Sequence, residues 1–293
     1  LEEYIGRQEA FPVKGWSLNS QLHSVPDCQK IIKKAAVERL KSRYHVSWFE
    51  ETGSTVQLQF SILKDEVMIL LDTSGAGLHK RGYRKNSNEA PIKETLAAGI
   101  LSLARIRSDT VFCDPMCGSG TFLIEAALDA MHIAPGLNRK FACEKWGAFP
   151  AASMRREREA ALDRIRRDAE FRAYGYDISE EAVALTQENA KKAGVSSRVR
   201  VRRQDIRDFS LEDLHSERAT IVCNPPYGER LLEVKAAQEL CVSMGKVFEK
   251  REGFHYFVIT PDEQFEQVFG RRADKRRKLY NGMIKCQLYQ YFK

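Results

Sequence analysis

One stretch constrains this chain more than any other: Cys-Asn-Pro-Pro-Tyr-Gly at residues 223–228. The preceding residues 219–222 are apolar and partly β-branched, a pattern that predicts a buried strand. That strand must end at the two prolines, because proline cannot donate a hydrogen bond to a neighbouring strand. The residue before each proline is also restricted to extended geometry. We therefore expect a stiff loop at the carboxyl end of a strand, the edge at which open α/β sheets bind ligands.

The side chains of this loop favour a particular kind of ligand. The amide oxygen of Asn224 and the carbonyl oxygen of Pro225 can together accept the two hydrogens of an exocyclic amine. The ring of Tyr227 can lie against a base. The alternative is a loop that merely ends a strand and binds nothing.

A second motif lies upstream and has the form strand, glycine turn, helix. Residues 110–113 predict another buried strand, which runs into Asp-Pro-Met-Cys-Gly-Ser-Gly-Thr at 114–121 and then into an apolar helix over about 122–131. Gly118 and Gly120 permit a close approach of the backbone to a ligand. The arrangement is typical of a nucleotide-type site.

Two common nucleotide motifs are excluded at this turn. A dinucleotide fold would need a third glycine at position 123, which is Leu123, and no Gly-Lys-Ser/Thr follows for a phosphate-binding loop. Asp114 at the strand end suits a ligand with a positive group there rather than a pyrophosphate.

Composition permits an anionic partner without requiring one. The chain has 293 residues, enough for one large or two modest domains with a real core. Its 47 basic and 40 acidic residues give a net charge of +7, which is compatible with RNA. The first residue is leucine, so we expect a truncated chain.

The cysteine pattern indicates a reducing compartment. There are seven cysteines, an odd number, and no Cys-x-x-Cys occurs. This pattern argues against a disulfide framework or a zinc site. No apolar run approaches about 18 residues and no signal peptide is visible, so the expected location is cytoplasmic, without a membrane span.

The two motifs together carry a family resemblance. Asp-Pro-x-x-Gly-Ser-Gly-Thr followed by Asn-Pro-Pro-Tyr resembles the class I S-adenosylmethionine-dependent methyltransferases that act on exocyclic amino groups. Three longer strings are similar to the bacterial THUMP-domain RNA methyltransferases, and in particular to the large-subunit ribosomal RNA guanine-N2 enzymes. They are His-Lys-Arg-Gly-Tyr-Arg at 79–84, Ala-Pro-Ile-Lys-Glu-Thr-Leu-Ala at 90–97 and Asn-Pro-Pro-Tyr-Gly-Glu-Arg at 224–230. The resemblance covers nearly the whole chain.

The resemblance implies an α/β fold with two parts. The larger would be a class I methyltransferase domain, Rossmann-like, with a mostly parallel seven-stranded sheet that ends in an antiparallel hairpin. The smaller would be a partial α+β THUMP-like domain, an RNA-binding module. We expect this domain over 1–75, a linker over 76–90 and the methyltransferase domain over 91–293. Asn281-Gly282 between alternating segments is itself a strong hairpin signal.

The resemblance also implies the cofactor and its site. S-adenosylmethionine would be bound with Asp177 on the ribose hydroxyls, Asp205 on the adenine amino group, and Ile178 and Ile206 on either side of the ring. The other expected cofactor-binding residues are Asp114, Met116, Cys117, Gly118, Ser119, Gly120, Thr121 and Asn224. Asn224, Pro225 and Tyr227 would be catalytic. An alternative for Asp177 is a cap on the helix that Ser-Glu-Glu opens at 179–181.

The expected partner is RNA, most specifically ribosomal RNA, with no metal. A basic helix around Lys33 and Lys34 and the basic run 271–278 would contact phosphates or, equally, remain solvated. Trp146 and Phe149 are expected to anchor an insertion by packing. Two rival functions stay open: an adenine-N6 methyltransferase acting on DNA or RNA, and a catalytically silent RNA-binding module.

Overall fold

The structure is a computed structural model and describes residues 1–84, 92–227 and 231–292. Parts of the expected linker 76–90, the expected helix start at Pro91 and residues 228–230 lie outside the described residues. The helices and strands, in chain order, are β1 (Val13–Leu18), α1 (Val25–Tyr44), β2 (Leu58–Leu63), β3 (Glu66–Leu71), α2 (Glu94–Ala104), β4 (Val111–Asp114), α3 (Thr121–Ala130), α4 (Ala151–Asp163), β5 (Arg172–Asp177), α5 (Glu180–Lys192), β6 (Val199–Arg203), β7 (Ala219–Cys223), α6 (Leu231–Val247), β8 (Phe254–Thr260), α7 (Phe265–Phe269), β9 (Lys275–Asn281) and β10 (Ile284–Tyr291).

The chain divides into two compact units. The first contains Leu1–Leu78 together with Arg139–Ala160, and the second contains His79–Asn138 and Ala161–Lys293. All of 91–293 was expected to form one domain, whereas Arg139–Ala160 packs with the first unit. The cause is packing: Cys143 and Trp146 of this inserted segment are buried in the apolar cluster of the first unit.

The first unit is a three-stranded sheet with one long helix. β1 and β2 are parallel and are connected through α1, while β3 pairs antiparallel with β2. α1 begins after Ser24, has a proline in its first turn, and ends at His45 in the left-handed conformation. Its buried residues include Ala36 and Leu40, which face the sheet core. On β3 the apolar side chains from Val67 to Leu70 are exposed.

Two side chains fasten the inserted segment to the first unit. The Arg139 guanidinium, 8% exposed, donates to the carbonyl oxygens of Ser74, Ala76 and Gly77. The Trp146 indole is 3% exposed, and its N–H donates to the carbonyl oxygen of Thr55 at 2.9 Å. The packing roles expected for Trp146 and Phe149 are confirmed, because both contact the same apolar cluster.

The second unit is a seven-stranded sheet in the order β6-β5-β4-β7-β8-β10-β9. β6, β5, β4, β7 and β8 are parallel, whereas β10 runs antiparallel to both β8 and β9. Successive residues of the central strands alternate between two apolar clusters, one shared with α2 and α3 and the other with α6 and α7. Helices therefore cover both faces, and the expected class I methyltransferase architecture is confirmed.

Several local features follow or differ from the sequence-based expectations. All seven cysteines lie in described segments, are buried and form no disulfide. Among the described residues, no helix combines the length and apolarity needed to cross a bilayer. The basic run 271–278 was expected to precede the terminal hairpin, but Lys275–Lys278 belong to its first strand, β9.

Candidate functional site

The predicted site residues follow four neighbouring strands at one edge of the seven-stranded sheet. In the order β6, β5, β4, β7, the strand ends lead to Asp205, Asp177, Asp114 and Asn224. Because these strands are parallel, their carboxyl ends meet at the same edge. The chain passes from β4 to β5 on one side and later to β7 on the other, which is the point where doubly wound sheets open a crevice for ligands. The topology thus brings the two sequence motifs together.

Asp114 is a carboxyl group buried at the end of β4. It is 2% exposed, and Oδ1 accepts a hydrogen bond from the Met116 N–H at 3.2 Å. Burial raises its pKa to about 8, against the weaker effect of that hydrogen bond, and the charge of Asp177 adds to the rise. A buried acid of this kind favours a ligand that brings a positive group to it.

The turn after β4 depends on its two glycines. Gly118 has φ +52° and Gly120 has φ +78°, a region that favours glycine. A Cβ on Gly120 would lie 2.5 Å from Cγ2 of Thr186, so this glycine also lets α5 pack closely. A Cβ on Gly118 would meet nothing within 4 Å, so the backbone there faces open space.

Helix α5 fastens this turn through two polar side chains. Thr186 Oγ1 donates to the carbonyl oxygen of Gly118 at 2.8 Å, and Asn189 Nδ2 donates to that of Ser119 at 3.0 Å. On the other side, the Cys117 N–H donates to the carbonyl oxygen of Tyr176 in β5 at 2.9 Å. The turn is therefore held by both neighbouring elements before any ligand arrives.

Asp177 connects the end of β5 to this turn. Its Oδ2 accepts from the Gly118 N–H at 2.9 Å, and its Oδ1 accepts from the Ser179 N–H at 3.0 Å. Ser179, not Asp177, caps α5, since its hydroxyl accepts from the Ala182 N–H at 3.2 Å. An ionised carboxylate offers about four lone-pair sites, so Asp177 retains acceptor capacity toward a ligand.

At the end of β6, Asp205 is engaged by Arg207. The carboxylate accepts from the Arg207 N–H at 2.9 Å and from its guanidinium, and these interactions lower the pKa of Asp205. Of the two isoleucines expected to hold a ring, Ile178 is 59% exposed but Ile206 is only 4% exposed. Ile206 belongs to the core beneath the site, which leaves little of its surface for a ligand.

The loop after β7 is partly enclosed. Asn224 and Tyr227 are half-buried, Pro225 is buried and Pro226 is exposed. β7 itself is buried along its whole length, from Ala219 to Cys223, as the apolar pattern predicts. The strand thus fixes the backbone from which Asn224 emerges.

A buried ion pair next to the glycine turn was missed by sequence analysis. Nη2 of Arg84 lies 2.8 Å from Oε2 of Glu94, and the side chains are 11% and 3% exposed. Nη1 of Arg84 donates to Thr121 Oγ1 at 3.2 Å and to the carbonyl oxygen of Ile92 at 3.3 Å. Arg84 therefore connects the first residue of α2 to the first residue of α3. An acid in the otherwise apolar α2 was the available signal.

A second buried acid, Glu125 of α3, completes this polar layer. It is 4% exposed, accepts from the Tyr83 hydroxyl at 3.0 Å, and lies 3.3 Å from Nη2 of Arg81. Burial raises the pKa of Glu125 despite the nearby Arg81 charge. The string 79–84, which sequence analysis used only as a family mark, thus supplies the partners of both buried acids.

Known proteins match both units. Residues 81–290 match the family described as "RMKL-like, methyltransferase domain", and residues 1–72 match the THUMP domain. The "Putative RNA methyltransferase YpsC" of Bacillus subtilis (strain 168) is 43% identical over 291 residues, which are 99% of this chain and 75% of that protein. The "Ribosomal RNA large subunit methyltransferase K/L" of Psychromonas ingrahamii is 32% identical over 99% of this chain, which spans only 39% of that relative.

A solved structure gives the same result for the fold. "SMU.472, a putative methyltransferase complexed with SAH" superposes with a TM-score of 0.90 at 41% identity, covering 99% of this chain and 77% of that one. The resemblance inferred from the sequence is confirmed. With a family match over 81–290 and 43% identity to a relative along nearly its whole length, this chain belongs to the RMKL-like methyltransferase domain family and carries a THUMP domain on its N-terminal side.

Proposed function

We propose that this methyltransferase transfers a methyl group from S-adenosylmethionine to an exocyclic base amine in RNA, specifically guanine N2 of large-subunit (23S) ribosomal RNA. The observation that carries the proposal is the position of Asn-Pro-Pro-Tyr at the end of β7, next to the strand that ends in Asp114. The THUMP match and the printed names of the relatives support RNA as the substrate. The buried, unpaired cysteines suit a cytoplasmic location.

The residues at the carboxyl edge fit the cofactor. Open space above Gly118 leaves room for a ligand against the backbone, and Asp177 beside it has free lone pairs for the ribose hydroxyls. Asp114 would face a positive group of the cofactor, and Asp205 and Ile178 would contact the adenine. When bound, S-adenosylmethionine supplies a methyl group on a positively charged sulfur. The protein's task is then to hold the reactants in line.

Asn224 and Pro225 would activate the target amine. An aromatic amine is a poor nucleophile, because its lone pair is delocalised into the ring. Acceptance of its two hydrogens by Asn224 Oδ1 and the Pro225 carbonyl favours a localised lone pair directed at the methyl group. Tyr227 would stack on the base after the base leaves its own stack.

One alternative, a different methyltransferase, has specific support from the same motif. Asn-Pro-Pro-Tyr accepts an adenine N6 amine as well as a guanine N2 amine, so an adenine-N6 methyltransferase remains the second candidate enzyme. A catalytically silent RNA-binding module would retain the THUMP domain without needing the buried Asp114 and the open Gly118 backbone. The presence together of Asp114, Gly118, Gly120, Asp177 and Asn224 argues against that module.

The test is to incubate the chain with labelled S-adenosylmethionine and bulk ribosomal RNA, then to digest the RNA and identify the labelled nucleoside. We expect N2-methylguanosine; N6-methyladenosine would establish the alternative enzyme, and unlabelled RNA would refute methyl transfer to it.

The same assay tests the activating residues. In single-turnover reactions, Asn224→Ala should reduce the rate by about 100-fold, by analogy with the loss of one preorganised hydrogen-bonding group. The circular dichroism spectrum should stay unchanged, which controls for folding, and S-adenosylhomocysteine affinity should stay nearly intact. Tyr227→Ala should weaken RNA capture while Tyr227→Phe, which keeps the ring, should be mild. A normal rate for Asn224→Ala would remove it from catalysis.

A further inference from the structure

The terminal hairpin extends past the carboxyl edge of the sheet. At the end of β7, Cys223 pairs with Val258 of β8. Val258 pairs with Tyr289 of β10, which pairs with Arg276 of β9. β9 then continues for five more residues, to Asn281, on the same side as Asn224. At about 3.4 Å per residue, Asn281 therefore lies about 17 Å beyond the end of β7 along the strand direction. Three strand spacings also separate β9 from β7 by about 14 Å across the sheet.

The part of β9 near this edge is positively charged. It contains Lys275, Arg276, Arg277 and Lys278, all exposed. Arg276 is paired with Glu266. Within the ranges that the structure describes, no carboxylate forms an ion pair with the other three cations. These three charges are therefore available to an anionic partner.

The tip of the hairpin adds exposed apolar and aromatic surface. Tyr280 is 55% exposed and Met283 is 96% exposed. The ammonium group of Lys278 lies 5.3 Å from the centre of the Tyr280 ring. An exposed aromatic ring beside cations is the combination that binds single-stranded nucleic acid, since the ring stacks on a base and the cations contact phosphates.

Protection of the sheet edge explains the charged residues of β9 but not its exposed apolar surface. β9 is an edge strand, and lysines on such strands prevent pairing with other molecules. The exposed Tyr280 on β9 has the opposite effect, because an apolar side chain on an edge strand promotes association, and Met283 in the turn adds exposed apolar surface. Their retention beside the charges favours a binding surface.

We propose that the hairpin surface, defined as Lys275, Arg277, Lys278 and Tyr280, binds single-stranded RNA adjacent to the nucleotide whose base enters the site. Tyr280 and Lys278 project from one face of β9, so Tyr280 stacks on a base a few nucleotides from the target while Lys278 contacts a phosphate next to that base. Lys275 and Arg277 project from the opposite face of this edge strand and contact phosphates where the RNA passes along the edge. The proposal rests on the proposed function, because it requires that the substrate is RNA. It adds a second contact region, within the methyltransferase unit and a few nucleotides from Asn224.

Matched pairs of charge-removing variants test the phosphate contacts. One double variant carries Arg277→Gln and Lys278→Gln. The control double variant carries Arg200→Gln and Lys250→Gln. Arg200 lies on the opposite edge strand β6, and Lys250 lies between α6 and β8; both are exposed. The probe is fluorescein-labelled polyuridylate, and its anisotropy is measured over a range of KCl concentrations.

The hairpin pair should bind about ten-fold more weakly, and the slope of log affinity against log salt should fall by about 1.4, or about 0.7 for each lost single-strand contact. The control pair should stay within about two-fold of the parent chain. Equal losses in both pairs would overturn the proposal and leave the charges as edge protection.

The aromatic contact is tested in the methyl-transfer reaction. Tyr280→Ala should raise the KM for ribosomal RNA by roughly 5- to 100-fold, as expected for one stacked base, with kcat and S-adenosylhomocysteine affinity unchanged. Tyr280→Phe should restore the parent KM. If the parent chain methylates RNA and Tyr280→Ala has the parent KM, the hairpin contact is refuted and the proposed function stands. If the parent chain does not label RNA, the proposed function fails, and the polyuridylate comparison still decides the hairpin contact.

Discussion

At the scale of single residues, the raised pKa of Asp114 makes ligand binding depend on pH. Its burial raises its pKa to about 8, so without a ligand it carries a proton at neutral pH. A cation placed beside it would lower that pKa and release the proton. Ligand affinity should therefore increase with pH up to about 8, where the free site becomes ionised.

The same shift predicts a pH-dependent stability. In the unfolded chain the carboxyl group has its ordinary pKa of 3.8. From there up to about 8 the folded state holds a proton that the unfolded state has lost, so stability falls as pH rises, by about 1.4 kcal/mol per pH unit from this group. Asp114→Asn should remove that slope, and the exposed Asp208→Asn should not. Urea unfolding across this pH range measures it, and parallel pH profiles for all three proteins would contradict the raised pKa.

At the scale of elements, the helix α1 separates two lysines that the sequence presents as equivalent. The ammonium group of Lys33 lies 2.5 Å from Oε1 of Glu51, donates to the Phe11 carbonyl at 3.0 Å, and sits 3.4 Å from the centre of the Phe11 ring. Lys34 is exposed. Lys33 is therefore a structural residue, and of the two only Lys34 is a candidate for RNA phosphates.

Charge reversal should separate these roles. Lys33→Glu should lower the free energy of unfolding by about 1–3 kcal/mol, because it removes charge-assisted hydrogen bonds and places a second carboxylate beside Glu51. Lys34→Glu should change stability by less than about 0.5 kcal/mol but weaken RNA binding. Chemical denaturation and polyuridylate binding provide the two readouts. An unaltered salt dependence for Lys34→Glu would leave α1 with a solvated basic face.

Elements were predictable from sequence where local pattern and burial agree. The buried β7 was predicted over 219–222 and is observed at Ala219–Cys223, because a continuous apolar run before two prolines has few other structures. β1 was missed, and the basic start of β9 was placed outside the hairpin. Both are edge strands, formed by backbone pairing with β2 and β10 rather than by an apolar pattern of their own.

The site shows the same division. The strand ends at Asp114, Asp177 and Asn224 were found from motifs, since each follows a recognisable strand. The Arg84–Glu94 pair was not found. These two residues are ten positions apart in the sequence, and their contact depends on how α2 packs beside α3. Likewise, the low exposure of Ile206 follows from its packing in the apolar cluster shared with α6 and α7, which no motif reports.

At the scale of the whole molecule, the order of segments along the chain does not decide which compact unit a segment belongs to. Arg139–Ala160 interrupts the methyltransferase sequence between β4 and β5 but packs with the N-terminal unit. The expectation of a contiguous domain over 91–293 included this segment. What decides the assignment is the burial of Trp146 and Arg139 among residues that precede Leu78.

That assignment yields the last prediction. Trp146→Ala should destabilise the N-terminal unit by about 3–5 kcal/mol, because it leaves a large cavity and an unpaired Thr55 carbonyl. Hydrogen exchange read by mass spectrometry should show lost protection in α1 and β2, with the seven-stranded sheet unaffected. Trp48→Ala is the matched control, since Trp48 is 78% exposed and its loss should cost less than about 0.5 kcal/mol. Loss of protection centred on β4 and β5 would instead place the inserted segment with the methyltransferase unit.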